Sequence, residues 1–173
     1  MGRRALWVVP LLGVLAACGS AGVPPQAWAG SVCMAVTPWR AKITELTAET
    51  QRQMSTATTA DQARSGLTDL FSGAESASES ARSAVAAAGT PAVDGGEEIA
   101  RRFAGTLAAA RDAYGHARRD IEGLATADEA AFYGRVRTVL GTLDSEYNAS
   151  ALDVSGVASE DLRKAFEDSP QCR

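Results

Sequence analysis

The chain has one histidine, His116, three cysteines and few aromatic residues, and each scarcity removes a class of chemistry. A zinc or copper centre usually needs several His or Cys ligands, so a transition-metal site lacks its donors. The carboxylates Asp144, Glu146, Asp153, Glu160 and Asp161 have neither the spacing nor the turn glycine of a calcium loop. No Gly-rich phosphate loop or dinucleotide fingerprint occurs, and no strand pattern precedes any glycine cluster. The serines lie in Ser/Ala stretches without a nucleophile-elbow pattern or an orienting partner set. No catalytic constellation remains, and the expectation is a protein that is not an enzyme and carries no cofactor. Runs of Val, Ile and Thr alternating with polar residues are also missing, which removes the usual signal for a sheet.

The amino terminus carries information. Arg3 and Arg4 precede an apolar run from Ala5 to Ala17. At about 13 residues it suits the core of a sorting signal and is too short to span a bilayer. It ends in Leu15-Ala16-Ala17-Cys18, followed by Gly19-Ser20. This resembles the bacterial lipobox, in which a branched apolar residue and two small ones precede the cysteine that receives diacylglycerol. On that reading residues 1–17 are a lipoprotein signal peptide, 18–26 a tether of small and turn-forming residues, and 27–173 one domain. The alternative is an ordinary secreted protein cut after Ala27-Trp28-Ala29, a small-x-small site that lies further beyond the apolar run than such sites usually do.

Removing 1–17 takes away two arginines and no acid. Seventeen basic against twenty-one acidic residues become fifteen against twenty-one, a net charge of −6. That disfavours nucleic acid, which needs clustered Lys and Arg, and leaves attachment to the membrane to the acyl chain at Cys18.

Once Cys18 is lipidated, Cys33 and Cys172 remain, and in an oxidising compartment a lone pair reads as one disulfide. It closes a loop of about 140 residues, for which chain entropy sets an upper contribution of roughly 5 kcal/mol.

The body of the chain reads as helix, rich in Ala, Glu, Arg, Leu and Gln. The clearest helix runs from about Glu97 to Leu124. Its stripe is Ile99, Phe103, Leu107, Ala110, Tyr114, Ala117, Ile121 and Leu124, with Asp94 in the cap region. A second spans about 127–147 on Phe132, Val136, Val139, Leu143 and Tyr147, with Thr126 and Glu129 at capping-box spacing. Upstream, Trp39, Ile43, Leu46 and Met54 mark another. It begins at Thr37-Pro38, the less costly version, or near Gln26 with Pro38 inside. Thr59-Ala60-Asp61 opens a fourth, with Ala63, Leu67, Leu70, Phe71, Ala74, Ala81 and Val85 inward. Its Ala/Ser-rich second half, 74–88, is expected to pack weakly or be partly disordered, and Gly89-Thr90-Pro91 ends it. Ser159 caps a short last helix to Asp168.

Four long helices with short breaks predict an all-α, up-down-up-down four-helix bundle with a short C-terminal helix, clamped by one disulfide. An even number of antiparallel helices returns the chain to its starting end, which places Cys172 near Cys33. The helix-interior glycines, Gly66, Gly73, Gly105, Gly115, Gly123, Gly134 and Gly141, point to close helix approach, to a cavity, or to a GC-rich genome with no structural purpose.

Two residues are weak candidates for a binding role. His116 is a boundary residue on the helical pattern. Beside Tyr114 it is the available axial ligand if the chain carries haem or another small ligand between its helices. Trp28 and Trp39 flank Cys33 and are expected to cover the disulfide. Asn148-Ala149-Ser150 is formally a glycosylation sequon, read as chance.

With its Arg3-Arg4 start, Leu15-to-Cys18 lipobox and Ala-rich helical body with one cysteine pair, the chain is similar to the small Cys-anchored lipoproteins of high-GC Gram-positive bacteria. The resemblance implies a lipid-anchored protein on the outer face of the cell membrane and supplies no catalytic residues. Two functional expectations follow: a non-enzymatic module that binds an envelope protein or cell-wall component, or a carrier of haem or another small ligand.

Overall fold

The computed structural model describes residues 22–56, 59–149 and 159–173. Cys18 and Asp153 lie outside the described residues, as does Ser150 of the sequon. Among the described residues five α-helices follow one another: α1 (Pro25–Thr56), α2 (Ala60–Ala87), α3 (Gly96–Glu122), α4 (Glu129–Ala149) and α5 (Glu160–Asp168), then a 3-10 turn, Pro170–Cys172. The fold is the expected all-α arrangement of four long helices plus a short fifth, closed by a Cys33–Cys172 disulfide. Among the described residues no helix is long and apolar enough to cross a membrane.

The first helix begins earlier than the less costly version predicts. The Trp28 amide donates to the Pro24 carbonyl at 3.0 Å, which makes Pro24 the cap and Pro25 the first helical residue, where its missing N–H costs nothing. Pro38 is inside the helix and removes the donor that would reach the Met34 carbonyl, a cost of about 3 kcal/mol. The turns before it bury Trp28, Ala29, Val32 and Ala35. At roughly 25 cal/mol per Å² of apolar surface that burial outweighs the proline. Thr37 is therefore not a cap, and its hydroxyl instead donates to the Gln171 carbonyl at 3.3 Å.

Residues 22–26, read as tether from their composition, belong to the fold. The Val23 amide donates to the Thr90 carbonyl at 2.7 Å and the Ala92 amide to the Val23 carbonyl at 2.8 Å, a one-residue parallel bridge. Gly22 has to be glycine there, because a Cβ would stand 2.9 Å from the Thr90 carbonyl oxygen.

The α2–α3 hairpin is the centre of the domain, and its two ends carry separate cores. At the upper end, Trp28, Val32 and Ala35 of α1 meet Ala81 and Val85 of α2, Phe103 and Leu107 of α3, and Leu162 of α5. At the lower end, Ala60, Ala63, Leu67 and Phe71 of α2 meet Ala117 and Ile121 of α3 and Phe132, Val136 and Val139 of α4. The fourth position of the bundle is thus taken by α4 below and by α5 above. The outcome for 74–88 differs from the expectation. Its small residues let α2 run close beside α1 and α3, and Ala74, Ser78, Ala81 and Val85 are all buried. Ser78 is satisfied there: it accepts from the Trp39 indole at 3.0 Å and donates to the Ala74 carbonyl at 2.8 Å.

The ends follow helix chemistry with two changes. Thr59 and Ser159 cap α2 and α5 as expected, accepting from the amides of Gln62 and Leu162. The third helix has Gly95 at its cap with φ +70° and no side-chain bond, so Asp94 plays no part. A Cβ on the next residue, Gly96, would lie 2.1 Å from the Pro91 carbonyl oxygen, which ties that glycine to the turn. For α4 the cap is Asp128, accepting from the Ala131 amide at 3.0 Å. Thr126 instead donates to Asp61 Oδ1 at 2.9 Å across the interface with α2. Asp61 also holds Arg64, whose guanidinium donates to the Leu124 carbonyl, so the lower turn is fastened to the start of α2.

Trp28 joins every part of the upper core. It has no exposed surface, packs edge-on against Phe103 and Phe166, and donates its indole N–H to the Gly89 carbonyl at 2.8 Å. Trp28→Ala is expected to destabilise the domain by about 3–5 kcal/mol, the usual cost of truncating a buried Trp. Urea denaturation followed by circular dichroism measures it; a loss under about 1 kcal/mol contradicts this placement.

Candidate functional site

Cys33, on the third turn of α1, bonds Cys172 with a Cα–Cα separation of 5.0 Å. Both cysteines are partly exposed. The indoles do not cover the bond as expected. Trp28 and Trp39 are five and six residues from Cys33, about 140° and 120° away around the helix, so they face the core while Cys33 lies at its edge. What the bond fastens is the C-terminal turn, which lies along α1 through the Thr37–Gln171 hydrogen bond.

Trp28 and Ala29 also bear on the alternative cleavage site. Both are fully buried inside α1, and cutting after Ala29 would remove the central side chain of the upper core.

Tyr114 and His116 do not share a cavity. Two residues apart on α3, they diverge by about 200°. Tyr114 packs on the lower core, with its ring 6.2 Å from that of Tyr147. Burial first, and the neighbouring Tyr147 second, push its hydroxyl up to about 12. His116 is 53% exposed, with Nδ1 3.2 Å from a Glu146 carboxylate oxygen on α4. The crevice beside it, lined by Ala113, Asp120, Val139 and Leu143 among others, holds about 170 Å³. That is below the ~300 Å³ at which small-molecule sites begin. Among the described residues no three His, Cys, Asp or Glu side chains are grouped as metal ligands would be.

Two other concave surfaces stand out. A wide, open hollow of about 750 Å³ lies where residues 22–23 meet the α2–α3 turn, from Thr90 to Glu97. A smaller, mostly apolar groove of about 280 Å³ runs between α1 and α2, lined by Met34, Pro38, Trp39, Ala77, Ala81 and Ala84 among others. Met34 is 59% exposed on its rim. The proline that withholds a donor from the Met34 carbonyl thus lies in the same groove. Periodicity could not single out Met34, since it lies off the core stripe without being charged.

The outer seam of the hairpin is ionic. Glu79 of α2 accepts from Arg82 on its own helix at 2.6 Å and from Arg111 of α3 at 2.7 Å. One turn away, Glu75 accepts from Arg118 at 2.9 Å, and Arg118 also reaches Glu122. Gly115 sits between the two arginines, where a Cβ would lie 2.9 Å from the Glu75 carboxylate. By contrast, Gly105 and Gly141 face open space. The glycines are therefore of two kinds, some required by a neighbour and some not. These ion pairs zip the hairpin.

Hydrogen bonds from Arg82 and then Arg111 hold the Glu79 carboxyl at about 2, well below the ordinary carboxylate value of 4.5. A depressed carboxylate stabilises the fold above its unfolded value, and that contribution is lost as pH falls from about 4.5 toward 2. Stability should therefore decline across that window in the parent more steeply than in Glu79→Gln. Thermal melts between pH 5 and 2 check this, and parallel curves for the two proteins count against the seam.

The architecture defines a class, a disulfide-clamped all-α bundle whose fourth position is shared by two helices. Comparison with protein-family models, curated proteins and solved structures finds no match for the chain.

Proposed function

We propose that this chain is an exported lipoprotein, held at the outer face of the cell membrane through acylated Cys18, whose helical domain binds an envelope protein or cell-wall component and catalyses nothing. The observation that carries the anchor is the run from Arg3-Arg4 through Ala5–Ala17 to Leu15-Ala16-Ala17-Cys18. The cysteine arithmetic supports it: Cys33 and Cys172 bond each other, and of the three cysteines only Cys18 is left over for lipid. A disulfide that fastens the chain's end to its first helix also suits an oxidising compartment.

For the domain, the supporting observation is the apolar groove between α1 and α2. Met34, Pro38 and Trp39 present an apolar ridge and slot, the kind of surface that packs against a partner's apolar side chains. The small-ligand carrier is the weaker reading, because Tyr114 and His116 face different sides of α3 and the crevice beside His116 is small.

Expressed in a bacterium that acylates lipoproteins, the parent chain should incorporate an alkyne fatty acid, and Cys18→Ser should incorporate none. Label persisting in Cys18→Ser, or absent from the parent, contradicts the anchor.

The interaction role has a separate test. A photo-crosslinking residue at Met34 should give a discrete adduct in intact cells, and Met34→Glu should weaken capture of the same partner by at least tenfold. No adduct from Met34 or from other exposed helix positions contradicts it.

A further inference from the structure

We infer that the α2–α3 turn is the membrane-facing end of the domain and that the α3–α4 turn, at the opposite end, projects outward. This rests on the anchor at Cys18 proposed above and adds an orientation to it. The point at which the chain enters the fold is locked to one place. Val23 exchanges two backbone hydrogen bonds with Thr90 and Ala92, and Trp28 donates to the Gly89 carbonyl five residues on. A side chain at Gly22 would collide with the same turn. From Gly22 back to Cys18 are four residues, which reach at most about 14 Å when fully extended. A lipid on Cys18 therefore keeps the place where Gly22 and Val23 meet the turn, at Thr90 and Ala92, within about that reach of the acylated residue.

The rest of the domain extends away from that point. The second helix has 28 residues and is about 40 Å long, and its start is fastened to the α3–α4 turn through Asp61, Arg64 and Thr126. Electrostatics decides between standing and lying flat. With a net charge of −6 after removal of 1–17, the domain is repelled by anionic lipid headgroups, where lysines and arginines would have attracted it. The membrane-facing end carries Asp94, Glu97 and Glu98, all exposed. The arginines nearest to them, Arg101 and Arg102, are both paired with Glu98. This end therefore presents no excess of positive charge to the headgroups and stands off on its tether. The partner of this end is a lipid surface met at close range without adhesion, and the surface free to reach outward is the one around Leu124–Asp128.

The test uses the acylated protein in vesicles of phosphatidylglycerol and phosphatidylethanolamine with an acceptor dye on a fraction of the headgroups. Donor dyes are placed singly on Ala92→Cys and Ala127→Cys, both exposed turn positions, with the native disulfide kept oxidised. Energy transfer should be several-fold stronger from position 92 than from 127. A flexible twenty-residue Gly/Ser insertion between Ser20 and Ala21 should erase most of that difference. Equal or reversed transfer in protein that sediments with the vesicles overturns the orientation and leaves the anchor standing. Failure to sediment, with no acyl mass on Cys18, overturns the anchor itself.

Discussion

Trp28 is the residue on which the upper half of this protein depends. Its ring fills the space between α1, α3 and α5, and its indole N–H satisfies the Gly89 carbonyl where α2 ends. One side chain thus brings together the start of the chain, the central hairpin and the last helix. Helix α5 is only nine residues long, below the length at which an isolated helix persists in water. It is held by burial of Leu162 and Ala165, by Phe166 stacking on Phe103, and by the disulfide that follows. Burial at Trp28 also explains why α1 carries a proline: the turns before Pro38 gain more from the core than the missing hydrogen bond costs.

The two cores divide the labour. The lower one is built by the α2–α3 hairpin and α4 from Phe71, Ile121 and Phe132. The upper one needs segments from both ends of the chain. A disulfide that spans 139 positions matters most to such a core, because its members are far apart in sequence and the entropy of bringing them together is large. The ionic seam of Glu75, Glu79, Arg111 and Arg118 runs along the outside of the hairpin and adds register more than energy, since these side chains remain partly hydrated.

Much of this was legible in the sequence. The stripe from Ile99 to Ile121 marks α3 almost to the residue, because its 3.6-residue period is uninterrupted. The pairing of Cys33 with Cys172 follows from the two thiols left once Cys18 is set aside, and an even number of long helices agrees with it by returning the chain to its starting end. Thr59 and Ser159 announce their helices by local chemistry. Where expectation and structure part, a tertiary contact has overridden a local rule. Thr126 looks like a cap, but its hydroxyl is taken by Asp61, and Asp128 caps in its place. The stretch 74–88 looks featureless because its residues are small, and smallness is what allows α2 to be buried on two sides. Residues 22–26 look like linker, yet backbone hydrogen bonds that leave no compositional trace tie them to the α2–α3 turn. The contact of His116 with Glu146 and the exposure of Met34 depend on how helices cross, which periodicity does not report.

The central claim joins an address to a shape, an acyl anchor at Cys18 and a domain closed by Cys33–Cys172. An intact mass spectrum of the protein purified from its own membrane tests both at once. The expected chain begins at residue 18, carries the added mass of its acyl groups, and is two hydrogens lighter than the reduced form. An unacylated chain beginning at Gly30, or a mature chain in which Cys33 and Cys172 are free thiols, would contradict the account.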